Sequence, residues 1–210
     1  MITVRTGDTS NFQKAARAGK LIRQAFAPYL NTCVNPEITS RLMTVLMEIL
    51  KTAKALTGKA CFEKGKISLL QRFKFNPKGD IYNVFGEAFF VTIDRYAGEV
   101  ILKVPPFNPF YSFFKQNYGS HFKVICAVAE LDFENNAFDT FDLSGGLISR
   151  TLNDDFTTIH VGRKIRPLSK LPMIAIIGIQ FFIEHGKQMH PLVGPVMTPL
   201  EIVWVDVSRG

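Results

Sequence analysis

The chain has 210 residues, of which 47% are hydrophobic and 20% are charged, and its formal net charge is +7. This hydrophobic fraction argues against an intrinsically disordered chain. The three cysteines form no CxxC pair, which argues against a disulfide framework and a zinc site. The positive charge suits an anionic partner such as nucleic acid.

The first quarter of the chain predicts two helices. Residues 8–10 offer N-cap oxygens to a helix over 11–27, and Pro28 should stop or bend it. A second helix is expected after residues 35–37, which supply a cap, a proline and a carboxylate, and it should end at Gly58. The short connection favours an antiparallel hairpin. The apolar face of the first helix is predicted to consist of Phe12, Ala15, Ala16, Gly19, Ile22, Phe26 and Tyr29.

The stretch SNFQKAARAGKLIRQAFAPYL, followed by ITSRLMTVLMEILK, resembles the N-terminal region of uncharacterised bacterial proteins of about this length that continue into β-rich halves. The similarity covers the first quarter of the chain. It implies a helical part followed by a β-rich part, and it implies no activity, cofactor or functional residue.

From Lys66 onward the apolar pattern changes to the period of two that is typical of strands. We therefore predict an α+β fold, in which an N-terminal helical hairpin (residues 1–58) packs on an antiparallel β-sandwich or barrel (residues 59–210) within one compact unit. The predicted extended segments are 2–5, 67–75, 88–95, 99–104, 122–133, 137–143, 157–161, 173–183 and 200–207, with Pro105 and Pro106 closing the strand over 99–104.

The segment Met173–Ile183 is the most apolar part of the chain, because only Gln180 interrupts its run of apolar residues and glycine. It is too short to cross a membrane as a helix, which needs about 20 apolar residues. Its content of Ile and Phe favours a central strand that is buried on both faces.

The sequence contains no catalytic signature. GxSxG, HExxH and GxGxxG motifs are missing, and the four histidines have no ligand spacing. We therefore expect no catalytic residue, metal site or cofactor. The start MITVRTGDTS has no apolar signal core, so synthesis in the cytoplasm is expected, without a membrane span.

The segment 106–122 is aromatic and begins with proline. One interpretation is a lid over the chain's own core, and the other is an arm that grips a neighbouring subunit. The combination of many Phe residues, few charges and no catalytic motif favours the arm. Its predicted contact residues are Phe107, Phe110, Tyr111, Phe113, Phe114 and Tyr118.

Two clusters of cations are candidates for anion binding. The cluster on the first helix is a surface that lies along phosphates, a solvated face, or a face that docks on an acidic neighbour. Binding to nucleic acid is favoured if both clusters share one face of the molecule. They consist of Lys14, Arg17, Lys20 and Arg23 on the first helix, and of Arg163, Lys164, Arg166 and Lys170 before the central strand.

These patterns lead to three hypotheses for function. The first is a non-enzymatic structural subunit, a homo-oligomer that assembles into a filament, sheath, ring or virion-like particle, alone or with other assembly proteins. The alternative is a nucleic-acid-binding accessory protein that uses the two basic clusters. The third is a small enzyme with a non-standard site.

Overall fold

Two antiparallel β-sheets and a layer of helices form the fold in the computed structural model, which describes residues 6–31, 35–113, 119–150, 155–194 and 198–207. All the strand pairings within these ranges are antiparallel. The predicted α+β class is confirmed, with N-terminal helices followed by antiparallel sheets.

The helical layer contains α1 (Thr6–Ala25), α2 (Ala27–Leu30) and α3 (Ile38–Thr57). Pro28 lies in the first turn of α2, so the chain changes direction where a proline can be tolerated. Gly58 ends α3 in the left-handed conformation with φ of 73°, and its N–H donates to the carbonyl of residue 54. Both helix ends were predicted from these residues.

The start and the buried side of α1 differ from the prediction. Because α1 begins at Thr6, residues 8–10 lie inside the helix and not ahead of it, while the predicted extended start at 2–5 lies outside the described residues. Phe12 is 56% exposed, since α1 packs on both α3 and a sheet and its buried side is therefore rotated away from this residue. The buried side consists of Ala15, Ala18, Gly19, Leu21, Ile22, Ala25 and Phe26.

The helices α1 and α3 form the predicted antiparallel hairpin. Arg23 near the end of α1 donates to Thr39 at the start of α3. A Cβ atom on Gly19 would lie 3.3 Å from Cδ1 of Leu46, so the glycine allows the two helices to approach closely.

The β-rich part is organised as one three-stranded and one six-stranded sheet. The three-stranded sheet has the order β1-β2-β6, and the six-stranded sheet has the order β4-β3-β7-β8, with β5 beside β3 and β9 beside β7. A one-turn helix, α4 (Ile81–Val84), precedes β1. The strands are β1 (Phe90–Asp94), β2 (Glu99–Phe107), β3 (His121–Asp132), β4 (Ala137–Asp142), β5 (Leu147–Ser149), β6 (Thr157–Lys164), β7 (Met173–His185), β8 (Gln188–Pro191) and β9 (Leu200–Asp206).

Strand β7 is the central strand that the sequence predicts. Ile174 and Ile176 pack against the helices, whereas Ala175 and Ile177 pack against the three-stranded sheet. The order of layers is therefore helices, six-stranded sheet and three-stranded sheet. Gly178 allows β9 to approach, since a Cβ there would lie 2.4 Å from the carbonyl oxygen of Pro199.

Two predicted features of the β-rich part are wrong. Residues 67–70 form a 3₁₀ turn and not a strand, because Ile67 and Leu70 are both buried and a three-residue spacing brings both side chains to the same side. The prolines at 105 and 106 do not close β2, which continues to Phe107 with a shift of register. Proline is tolerated at such an irregularity because the ladder is interrupted there.

Candidate functional site

The aromatic segment contributes to the core of the sandwich. Phe107 and Phe113 are each 2% exposed. The ring centroid of Phe113 lies 4.5 Å from that of Phe122 and 5.2 Å from that of Phe181. These two residues therefore cover the chain's own core, and they are not presented to a neighbouring subunit.

The other predicted arm residues give a much smaller surface. Tyr111 is 54% exposed, and its ring packs edge-on against the half-buried Phe110 at 5.3 Å. The Oδ1 of Asn108 accepts hydrogen bonds from the backbone N–H groups of both residues and so fixes the turn. Phe114 and Tyr118 lie outside the described residues.

The two predicted basic clusters lie on opposite outer layers of the molecule. Arg163 and Lys164 are exposed in β6 of the three-stranded sheet, and Arg166 and Lys170 are exposed in the loop that follows. Lys164 is 3.6 Å from the carboxylate of Glu99. The first cluster lies on α1 in the helical layer, so the condition that both clusters share a face is not met.

Part of the first cluster is joined by cations that the sequence analysis did not single out. Lys14 and Arg17 of α1 lie beside the loop that follows α3 and border a cleft of about 450 Å³, and Lys14 also borders an adjoining cleft over residues 54–61. We call the two clefts together the basic groove. Its cations are Lys14, Arg17, Lys54, Lys59 and Lys64.

The loop 58–65 is held in place by contacts with both helices. Nζ of Lys14 donates to the carbonyl of Ala60 at 2.8 Å, which ties α1 to the loop. Gly65 donates to the carbonyl of Phe62, and a Cβ on Gly65 would lie 2.6 Å from Ile49 of α3. A close turn against α3 therefore positions the cations at 59 and 64.

The floor of the basic groove is aromatic. The rings of the buried Phe62 and the half-buried Phe133 lie 4.7 Å apart with an interplanar angle of 30°. Glu63 and Glu134 also border the groove, so its charge is positive but mixed. Within the described residues, none of its five cations forms a salt bridge with a carboxylate.

The other two cations of the first cluster lie outside this groove. Lys20 is exposed on α1, and Arg23 is half-buried and donates to Thr39 at 2.9 Å. Arg23 thus links the two helices. A cluster of five lysines within residues 51–66, against the single acidic Glu63, is the sequence signal that could have identified the basic groove.

The buried acid Glu201 is the nearest feature to an enzymatic site, and sequence reasoning missed it. Its side chain is 1% exposed, and burial raises its pKa, although the Arg72 guanidinium at 3.5 Å acts in the opposite direction. At this exposure the carboxylate is closed off from solvent. Among the residues that the structure describes, no group of acidic, histidine or cysteine side chains could hold a metal.

No family model, no curated protein and no solved structure matches the chain. The described helices include none with the length and apolar character needed to cross a bilayer. The basic groove therefore has to be interpreted from its own chemistry, which consists of cations above an aromatic floor.

Proposed function

We propose that the protein is a nucleic-acid-binding accessory protein and that the basic groove takes a single strand. One observation carries this proposal: Lys14, Arg17 and Lys64 border a cleft with an aromatic floor, and an adjoining cleft that shares Lys14 adds Lys54 and Lys59. Single-stranded nucleic acid is bound by this combination, since cations follow the phosphates while bases stack on aromatic rings.

The parts of the groove correspond to two kinds of contact. Arg17, Lys59 and Lys64 are exposed and supply the charge that meets phosphates. Phe133 is half-buried and offers the accessible part of its ring to a base. A duplex fits this arrangement less well because its bases are stacked on each other, so that only a single strand can use the aromatic floor.

A salt titration with two matched double variants tests the electrostatic part. We expect a labelled oligothymidylate to bind the wild-type chain, with an affinity that falls steeply between about 50 and 200 mM salt. Arg17→Ala with Lys64→Ala should weaken binding about tenfold and lower the salt slope by about 0.7 for each lost phosphate contact. The control, Arg163→Ala with Arg166→Ala, removes the same charge from the opposite layer and should change binding little.

Phe133→Leu tests the stacking part. The loss of one stacked base should cost about 1–3 kcal/mol for the oligothymidylate, without a change of the salt slope. An abasic strand of the same length should bind the variant and the wild type equally. If both double variants weakened oligothymidylate binding equally, binding would not be localised to the basic groove. If the wild type showed no detectable binding at low salt, the proposal would be overturned.

The self-assembling structural subunit is the second candidate. The burial of Phe107 and Phe113 removes two of the side chains on which the arm depended. The observation that still favours assembly is an uncovered sheet edge at β1.

A further inference from the structure

The outer edge of β1 has no strand beside it within the described part of the chain. β1 is the first strand in the order β1-β2-β6 and pairs only with β2. In an antiparallel ladder the N–H and C=O groups of alternate residues point away from the partner strand. Such an edge is a template for the addition of another strand.

The other edge of the same sheet is protected, whereas β1 is not. β6 ends with Arg163 and Lys164, and charged side chains on an edge strand disfavour pairing with other chains. The residues of β1 are Phe90, Val91, Thr92, Ile93 and Asp94, so a single charge lies at its end. The β1 edge is therefore the one open to a further strand.

A groove with several aromatic side chains runs along this edge. Its walls come from both sheets, it has a volume of about 330 Å³, and Phe90 and Trp204 are 55% and 45% exposed. A second chain that adds a strand at this edge would cover these two side chains. We call this groove the edge groove, and it is lined by Gln71, Tyr82, Phe89, Phe90, Val91, Thr92, Val203 and Trp204.

The sequence of β1 is self-complementary in one antiparallel register. When Thr92 lies opposite Thr92 of a second copy, Val91 lies opposite Ile93 and Phe90 opposite Asp94, so all five residues are paired. The partly buried Val91 and Ile93 then continue the apolar inner face, while the exposed residues continue the outer face. The inner side chains of each copy would cover the edge groove of the other.

The charges beside β1 are also complementary in this register. Lys103 lies next to Phe90 and Glu99 lies next to Asp94 in the ladder with β2. A twofold axis through Thr92 brings Lys103 of one copy to the same row as Asp94 and Glu99 of the other. The two Asp94 carboxylates lie at opposite ends of the pair, so like charges are not opposed.

We propose that two copies of the chain pair through β1, antiparallel about a twofold axis at Thr92, to form a continuous six-stranded sheet β6-β2-β1-β1-β2-β6. The free edge, the edge groove and the register carry this proposal independently of the basic groove. Five paired residues from each copy and two covered grooves form a small interface, and stable complexes bury more than about 1,000 Å² in total. The dimer is therefore expected to form reversibly as the concentration rises.

Sedimentation velocity over a concentration series tests the dimer with two charge variants. Thr92 is exposed, so Thr92→Lys and Thr92→Glu should leave the fold intact, which the thermal unfolding of each variant verifies. Like charges directly opposite each other destabilise a strand pair. Each variant alone should therefore remain monomeric at concentrations where the wild type dimerises, and an equimolar mixture of the two should dimerise again.

A cysteine at position 92 tests the register. Residues directly opposite in an antiparallel pair have Cα atoms about 4.5–5.5 Å apart, which is within the range of a disulfide. In a background with Cys33→Ser and Cys61→Ser, Thr92→Cys should give a covalent dimer on mild oxidation. Thr158→Cys, exposed on the other edge strand, is the matched control and should not.

Three outcomes would overturn the proposal. They are a wild-type chain that stays monomeric at every concentration, a mixture of charge variants that does not dimerise, and a control cysteine that crosslinks as readily as position 92. Loss of oligonucleotide binding in the Arg17 and Lys64 variant would leave these results unchanged, so the two proposals are tested separately.

Discussion

Arg95 links the two sheets through an ion pair and hydrogen bonds with Asp206. Its Nε donates to Oδ2 of Asp206 at 2.5 Å, and Nη2 donates to the backbone carbonyl of the same residue at 3.1 Å. Nη1 donates to the carbonyl of Ser169 at 2.6 Å. Arg95 directly follows β1 of the three-stranded sheet, and Asp206 is the last residue of β9 in the six-stranded sheet. The contact therefore joins the two sheets beside one end of the edge groove.

We expect Arg95→Ala to destabilise the fold by about 2–4 kcal/mol, since it leaves a partly buried carboxylate without its partner. Arg95→Lys should recover only part of the loss, because an ammonium group cannot make the same forked contacts. Urea unfolding measures both changes. Lys51→Ala, which removes an exposed pair with Glu48, is the control and should cost less than about 1 kcal/mol.

We expect the difference in stability between Glu201→Gln and the wild type to shift in favour of the variant as the pH rises from about 4 to about 8. Burial raises the pKa of Glu201 in the folded state, so the folded chain holds this proton more tightly than the unfolded chain. The contribution of Glu201 to stability is therefore complete below the unfolded pKa of about 4.3. It is lost as the pH rises through the folded pKa, and glutamine avoids this loss.

Thermal unfolding across this pH range measures the difference between Glu201→Gln and the wild type. For a chain of this size about 1 kcal/mol corresponds to about 2–4 °C in Tm. Other titrating groups are common to both proteins and cancel in the difference. A difference that is constant with pH would contradict the prediction.

The two interpretations of the aromatic segment predict different effects of truncation. If Phe113 belongs to the core, Phe113→Ala should destabilise the fold by about 3–5 kcal/mol, while Tyr111→Ala at an exposed site should cost less than about 1 kcal/mol. Chemical denaturation compares the two variants. Similar small losses for both would mean that Phe113 is not packed as the structure has it.

Much of the fold could be predicted because some segments have the same surroundings along their whole length and some turns are set by a single residue. β7 is covered on both faces, so its residues are apolar without alternation, and an apolar run of this kind is typical of a central strand. The break between α1 and α2 and the end of α3 follow from Pro28 and Gly58, whose backbone restrictions act locally. Local chemistry of this kind is visible in the sequence.

Other features depend on tertiary contacts that the sequence does not show. Regular alternation along β9 would place Ile202 and Val205 on opposite sides of the strand, but a shift of register before Trp204 brings both to the same, helix-facing side. The aromatic segment has the same composition whether it covers its own core or a partner, so composition could not decide between the two.

The basic groove was only half predicted for a similar reason. Helical spacing identified Lys14 and Arg17 as neighbours on α1. Lys59 and Lys64 join them because the loop 58–65 turns back against α3, which is a matter of packing around Gly65. Helical periodicity cannot place residues that lie beyond the end of a helix.

The pairing of β3 with β7 has a consequence for the order in which the chain can fold. Ten residues of β3, from His121 to Glu130, face β7, which begins only at Met173. At about 5–20 residues per second, synthesis leaves this apolar edge without its partner for several seconds. β4 and β5 pair with the opposite edge of β3 during that time, so its β7-facing edge stays open to misassembly until β7 has been translated.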